Sequence, residues 1–118
     1  MTTDDDATAV WALTPNGARL ARTIAQGIPA SVLHLSAKLA VEGEDAVRFE
    51  ILKDEVERRF NLFSRHVFIM ATGIVVRSIA DHLVHKTRDP AVVVCDEAGR
   101  FAISLLSGHL GGANALAK

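Results

Sequence analysis

The residues best suited to chemistry lie in three short stretches. The longest is "SGHLGGAN", residues 107–114, with three glycines, one histidine and one asparagine. The others are "TPNG" (14–17) and "ATG" (71–73), the second followed by Arg77. Each stands where an apolar run gives way to a helical pattern. A helix start presents backbone N–H groups without intrahelical partners, at the positive end of the helix dipole. Such a place suits carboxylates and phosphates. Thr14, Thr72 and Ser107 carry hydroxyls that either cap the helix or donate to a ligand, and capping alone accounts for such residues. Gly73, Gly108, Gly111 and Gly112 serve either close ligand approach or tight helix–sheet packing. Asn114 can bond the loop back onto itself.

His109 is the side chain with the widest chemical range. A helix dipole beside it would lower its pKa and favour the neutral imidazole. In that form it can accept a proton or bond an anionic ligand; the alternative is a structural histidine held by hydrogen bonds. His34, His66, His82 and His85 show no metal-ligand spacing, and the last two read as a solvated helix face. Cys95 is the sole cysteine, so it forms no internal disulfide or thiolate cluster and reads as a small core residue. No metal site and no bound cofactor are expected. Neither G-x-G-x-x-G nor the P-loop pattern occurs, so nucleotide binding lacks its usual signature. Lys86, Arg88 and Arg100 are either a rim for carboxylates or ordinary surface charge.

The elements that must position these residues alternate. "TAVWAL" (8–13) reads as a buried strand, with Thr14 as N-cap and Pro15 at the first helical position. Leu20, Ala21, Ile24, Ala25 and Ile28 then form a helical stripe. "ASVLHL" (30–35) is a second strand, and 36–47 an irregular connection. Phe49, Leu52, Val56, Phe60 and Phe63 recur at spacings of three and four, which predicts an amphipathic helix. "HVFIM" (66–70) is a third strand, followed by a helix through about His85 with Val75, Ile79 and Leu83 inward. After the loop "KTRDP", "AVVVCD" and "FAISLL" form a hairpin with Gly99 in its turn, and "AVVVCD" is a plausible sticky edge strand.

This order predicts an α/β domain over residues 8–118: an open, mostly parallel sheet between two helical layers, with an antiparallel hairpin near the C-terminus. Residues 1–7 read as a disordered tail. Parallel strands would put all three glycine-bearing junctions on one carboxyl edge, where open α/β sheets bind ligands.

The 118 residues suffice for one domain. The net charge of -1 supplies no field for nucleic acid or an anionic membrane, so neither partner is expected. No apolar run reaches the length of a membrane span and the first residues lack a signal pattern, so the expected location is the cytoplasm.

"ALTPNG" (12–17), "IMATGIVVR" (69–77) and "KTRDPAVVVCDEAGRFAISLLSGHLGGANALA" (86–117) together resemble the N-terminal domain of the CbiG family of cobalamin biosynthesis, the cobalt-precorrin-5A hydrolases. The resemblance runs from the first strand to the last residue and is weak over 36–47. It implies a C–C bond hydrolase that opens a δ-lactone on a cobalt corrinoid and releases acetaldehyde as the ring contracts. The cobalt arrives with the substrate. The matching stretches carry over Thr14, Thr72, Gly73, Arg77, Ser107, Gly108, Gly111, Gly112 and Asn114 as substrate-binding candidates, with His109 chosen as the base on chemical grounds. The implied partners are the corrinoid intermediate and a C-terminal domain of the same protein, and a homo-oligomer is compatible. The isolated chain is then expected to be incomplete as a catalyst. Two rival readings are a non-catalytic module that grips corrinoid carboxylates and a subunit-assembly domain.

Overall fold

The computed structural model describes residues 7–82 and 90–106. Six strands form one sheet: β1 (Thr8–Ala12), β2 (Ser31–Ser36), β3 (Val47–Phe49), β4 (Arg65–Ile69), β5 (Ala91–Cys95) and β6 (Ala102–Leu106). Their order is β3-β2-β1-β4-β5-β6, with all neighbours parallel except the β5–β6 pair. The helices are α1 (Pro15–Gly27), α2 (Leu52–Arg59) and α3 (Thr72–Ile79).

The chain direction decides which face each helix covers. From β1 it moves outward through α1 to β2 and then β3. From β3 it returns through α2 to β4, and continues through α3 toward β5. Right-handed crossovers put opposite directions of travel on opposite faces. The two core clusters obey this rule. Val10, Ala12, Leu33, Leu35, Val67 and Ile69 pack with Ala18 and Ala21 of α1, and Leu39 and Ala46 of the β2–β3 connection join them. Trp11, Phe68, Val92 and Val94 pack with Val56 and Phe60 of the α2 segment and with Val75 and Ile79 of α3. Alternate residues of one strand thus feed two cores. Because both faces are covered, β1 and β5 are buried along their whole length.

Four expectations need correction. Residues 47–49, read as the end of a loop and the start of a helix, form β3, paired with β2 from His34↔Val47 to Ser36↔Phe49. Phe49 therefore reaches the core from a strand, while Leu52, Val56 and Phe60 reach it from a helix and its last 3-10 turn. Burial has the same spacing either way, so periodicity alone could not separate them. Ala7, assigned to the tail, is buried and its carbonyl accepts from the Ser64 amide. "AVVVCD" is an interior strand; β6 is the outer one among the described residues. His82, read as part of a solvated face, is half-buried, with its ring 5.9 Å from that of Phe60.

The hairpin has a further consequence. β6 runs back against β5, ending with Leu106 opposite Val92 near the amino edge of the parallel strands. β6 thus ends at the edge opposite the one where β1 and β4 deliver Thr14 and Thr72, and Ser107 with the residues after it lies outside the described residues.

Candidate functional site at the β1–β4 crevice

β1 and β4 are adjacent and in register from Thr8↔Arg65 to Ala12↔Ile69. The strand order reverses between them, and their helices leave to opposite faces. A crevice therefore opens beyond their carboxyl ends, the usual ligand position of open α/β sheets.

On the β1 side the polar groups are engaged in folding. The Gly17 amide donates to Thr14 Oγ1 at 3.0 Å, and the Ala18 amide to the Thr14 carbonyl at 2.8 Å. Thr14 is thus an N-cap with Pro15 behind it, as expected. Gly17 is a packing glycine: a Cβ there would stand 3.0 Å from Thr14 Oγ1 and 3.2 Å from the Ile69 carbonyl oxygen. The first turn of α1 can lie against the end of β4 only because that atom is missing.

On the β4 side the same residue types are arranged differently. Ala71, not Thr72, is the N-cap of α3, and no side chain caps the helix. Thr72 is already helical and exposed, so its expected capping role does not hold. Gly73 has no positive φ, and among the described residues a Cβ there would meet only the Arg77 guanidinium, at an ordinary 3.7 Å. Neither conformation nor packing against the described residues asks for glycine at this position. Arg77, one turn on, reaches back over the helix start and is exposed, with no ion-pair partner among the described residues. The first amides of α3 and one guanidinium thus face solvent together.

A buried clamp holds the two strands beneath the crevice. Trp11 Nε1–H of β1 donates to His66 Nδ1 of β4 at 3.0 Å, and His66 Nε2–H donates to the Phe60 carbonyl at 2.8 Å. His66 is therefore a neutral imidazole, fully enclosed, and burial lowers its pKa to about 4. His34 of β2 stacks on Trp11 with ring centroids 4.1 Å apart. Its Nδ1–H donates to the Val32 carbonyl, and Nε2 has no partner among the described residues. Burial lowers its pKa to about 3.

This chain resembles known proteins along nearly its whole length. The family model described as "Cobalamin synthesis G N-terminal" matches residues 54–118, more than half of the chain. The cobalt-precorrin-5A hydrolase of Salmonella typhimurium is 42% identical over 118 residues, covering 99% of this chain. The chain belongs to the cobalamin synthesis G N-terminal family. The Priestia megaterium cobalt-precorrin-5A hydrolase is 35% identical over 93% of the chain. The crystal structure of a cobalamin biosynthesis protein G homologue from Sulfolobus solfataricus superposes on 95% of it, with a TM-score of 0.71 at 25% identity, and 32% of that chain is covered. The chain spans about a third of the length of these relatives, 33% and 30% for the two hydrolases.

Within this cobalamin synthesis G N-terminal chain, the fold brings Thr14, Thr72, Gly73 and Arg77 to one edge. Ser107, Gly108, His109, Gly111, Gly112 and Asn114 lie outside the described residues, as do Lys86 and Arg88. Arg100 is exposed at the hairpin turn, 4.0 Å from Asp96. Two features escaped the sequence reading. One is an open groove of about 570 Å³ between Asn16, Arg19, Leu20 and Thr23 of α1 and Glu97 and Ala98 of the hairpin turn, near the same edge. Nothing local in the sequence signals it. The other is the Trp11–His66 clamp, whose one sequence signal was a histidine and a tryptophan at inward-facing strand positions. Among the described residues no three His, Cys, Asp or Glu side chains gather as a metal site. None of the described helices is long and apolar enough to cross a membrane.

Proposed function

We propose that this chain is the N-terminal part of a cobalt-precorrin-5A hydrolase and that its β1–β4 crevice receives the carboxylate fringe of the cobalt-corrinoid substrate. The observation that carries the reading is the β4–α3 junction. Among the described residues nothing requires Gly73 to be glycine, no side chain caps its helix start, and Arg77 lies over it. A substrate carboxylate approaching Gly73 would accept from the Thr72 and Gly73 amides and pair with the guanidinium, a charge-assisted arrangement. The names of the relatives supply the substrate class.

The reaction proposed is hydrolysis of the δ-lactone. Water adds to the lactone carbonyl and the acyl C–O bond breaks, leaving a carboxylate and an alcohol. The alcohol then loses its proton, its carbon leaves as the aldehyde carbon of acetaldehyde, and the C–C bonding electrons return to the macrocycle. These steps need a proton acceptor for water and donors for the developing oxyanion. The α3 amides and Arg77 can serve as donors. His109 is the proposed proton acceptor, with Ser107, Gly108, Gly111, Gly112 and Asn114 as its companions in substrate binding. The two clusters call for separate tests.

The test is titration of the full-length protein with a cobalt corrinoid bearing free carboxylates, followed by absorbance and calorimetry. Arg77→Ala should weaken binding about ten-fold, the cost of losing one charge-assisted contact, with the melting temperature unchanged. Unchanged affinity would sink the crevice as the binding site. His109→Ala should abolish lactone opening while leaving corrinoid binding intact; normal turnover in that variant would remove His109 from the chemistry.

A further inference from the structure

The three helices all follow parallel strands and begin at the carboxyl edge of the sheet, but their charges are arranged in two ways. α2, after β3, agrees with the helix dipole. Asp54 and Glu55 lie in its first turn, Arg58 and Arg59 in its last, and both arginines pair with Glu55. α1 and α3, which flank the crevice, have no acidic residue in the first turn. Each instead has an arginine that folds back toward the helix start. Arg77 Nη1 is the group that a Cβ on Gly73 would meet. Arg19 Nη1 donates to Asn16 Oδ1, in the first turn of α1, at 3.2 Å. A cation in that place opposes the dipole, and an exposed contact between residues three apart on a helix adds little stability. Arg19 is exposed and has no carboxylate partner among the described residues.

Arg19 also lines the groove of about 570 Å³ between α1 and the hairpin turn. Both walls are fixed. The turn is held by its own bonds, Gly99 amide to Asp96 carbonyl at 3.0 Å and Phe101 amide to Asp96 Oδ1 at 2.8 Å. Leu20, packed on the α1-side core, forms an apolar floor, and a Cβ on Gly99 would stand 3.4 Å from it. A concave surface with an apolar floor and a few polar groups is the usual form of a small-molecule site. Glu97 on the turn does not pair with Arg19, and it would hold an incoming anion to the α1 wall. We propose that Arg19 is a second carboxylate contact for the substrate of the crevice, made on the opposite face of the sheet from Arg77. α1 and α3 pack on opposite faces, so the two guanidinia approach the ends of β1 and β4 from two sides. A macrocycle fringed with carboxylates, lying across those strand ends, presents one to each arginine. The inference rests on the hydrolase reading and deepens it, because it requires a ligand with at least two separate carboxylates.

The full-length protein would be titrated by calorimetry with a cobalt corrinoid bearing free carboxylates and with its fully amidated counterpart. Arg19→Ala and Arg77→Ala should each weaken the first titration about ten-fold. The double variant should lose about a hundred-fold, since contacts to separate groups add. Neither change should alter affinity for the amidated corrinoid, and melting temperatures should hold, because both side chains are exposed. Arg19→Lys should recover only part of the loss, because an ammonium cannot make the paired bonds of a guanidinium. Loss in Arg77→Ala alone overturns the second contact and leaves the crevice reading in place. No loss in Arg77→Ala overturns the crevice reading and the proposal that rests on it. A double variant no weaker than the singles would put both arginines on one carboxylate. Equal losses with both corrinoids would show that Arg19 does not read carboxylates, and full recovery by lysine would reduce it to a distant charge. Each of these three results overturns the proposal.

Discussion

The β1–α1 and β4–α3 junctions are built from the same small vocabulary: a threonine, a glycine and a helix start at the end of a parallel strand. Their uses differ. At the first, Thr14 caps α1 and Gly17 lets the helix touch the end of β4, so both residues are consumed by folding. At the second, among the described residues, Thr72 caps nothing, Gly73 touches nothing that requires its missing side chain, and Arg77 has no ion-pair partner. A residue without a structural task at a sheet's binding edge is a better functional candidate than an identical residue that has one.

Acidification should erase the contrast, because the Trp11–His66 clamp supports both junctions. His66 and His34 titrate in the folded chain at about 4 and about 3, below the ordinary 6.5. Burial is the main cause; the nearby positive charge of Arg59 also lowers His34. As the pH falls through 6.5, the unfolded chain takes up these two protons and the folded chain does not. The unfolded state then binds more protons, so stability falls with pH. The slope approaches ~1.4 kcal/mol per pH unit for each histidine until the folded values are reached. Thermal melting from pH 7 to 4.5 measures it, with Trp11 as the only tryptophan reporter. His34→Phe should remove that residue's share of the slope; an unaltered slope would contradict the assignment.

Next in size are the glycines. Gly17→Val should cost about 1–3 kcal/mol through overpacking against Thr14 and Ile69. Gly73→Ala should leave stability equal or slightly higher, since alanine is the better helix former, while weakening corrinoid binding. Denaturant unfolding and a corrinoid titration on the same two proteins would separate the effects. A destabilised Gly73→Ala would assign that glycine to packing after all.

The smallest effects sharpen the comparison most. Thr14→Ala should lose about 1 kcal/mol of stability with its cap. Thr72→Ala should stay within about 0.5 kcal/mol, as surface changes do, with its effect appearing in ligand affinity. Equal destabilisation by both, measured by urea unfolding, would show that the two threonines do the same work.

Most of the architecture was legible from pattern. Pro15 after Thr14 marked the start of α1, the "AVVVCD" and "FAISLL" runs around Gly99 marked the hairpin, and alternating strands and helices marked the α/β class. Half of the candidate site was legible as well, because glycine and threonine at a strand-to-helix boundary can be seen locally. β3 was not, since "VRF" is too short to show a period and Phe49 continued the spacing of α2.

The sequence by itself determined the local conformations and the buried stripes, because these depend on side-chain type and on neighbours within a few positions. It also carried the family resemblance. Only the tertiary structure decided which identical-looking residues are spent on folding, because that depends on contacts such as Gly17 with Ile69, across 52 positions of chain. It alone decided that β5 is interior and that β6 is the outer strand among the described residues. And it alone showed that β6 ends at the opposite edge from Thr72. Strand direction within a sheet is fixed by hydrogen-bonded neighbours, and no stretch of residues encodes its neighbours by itself.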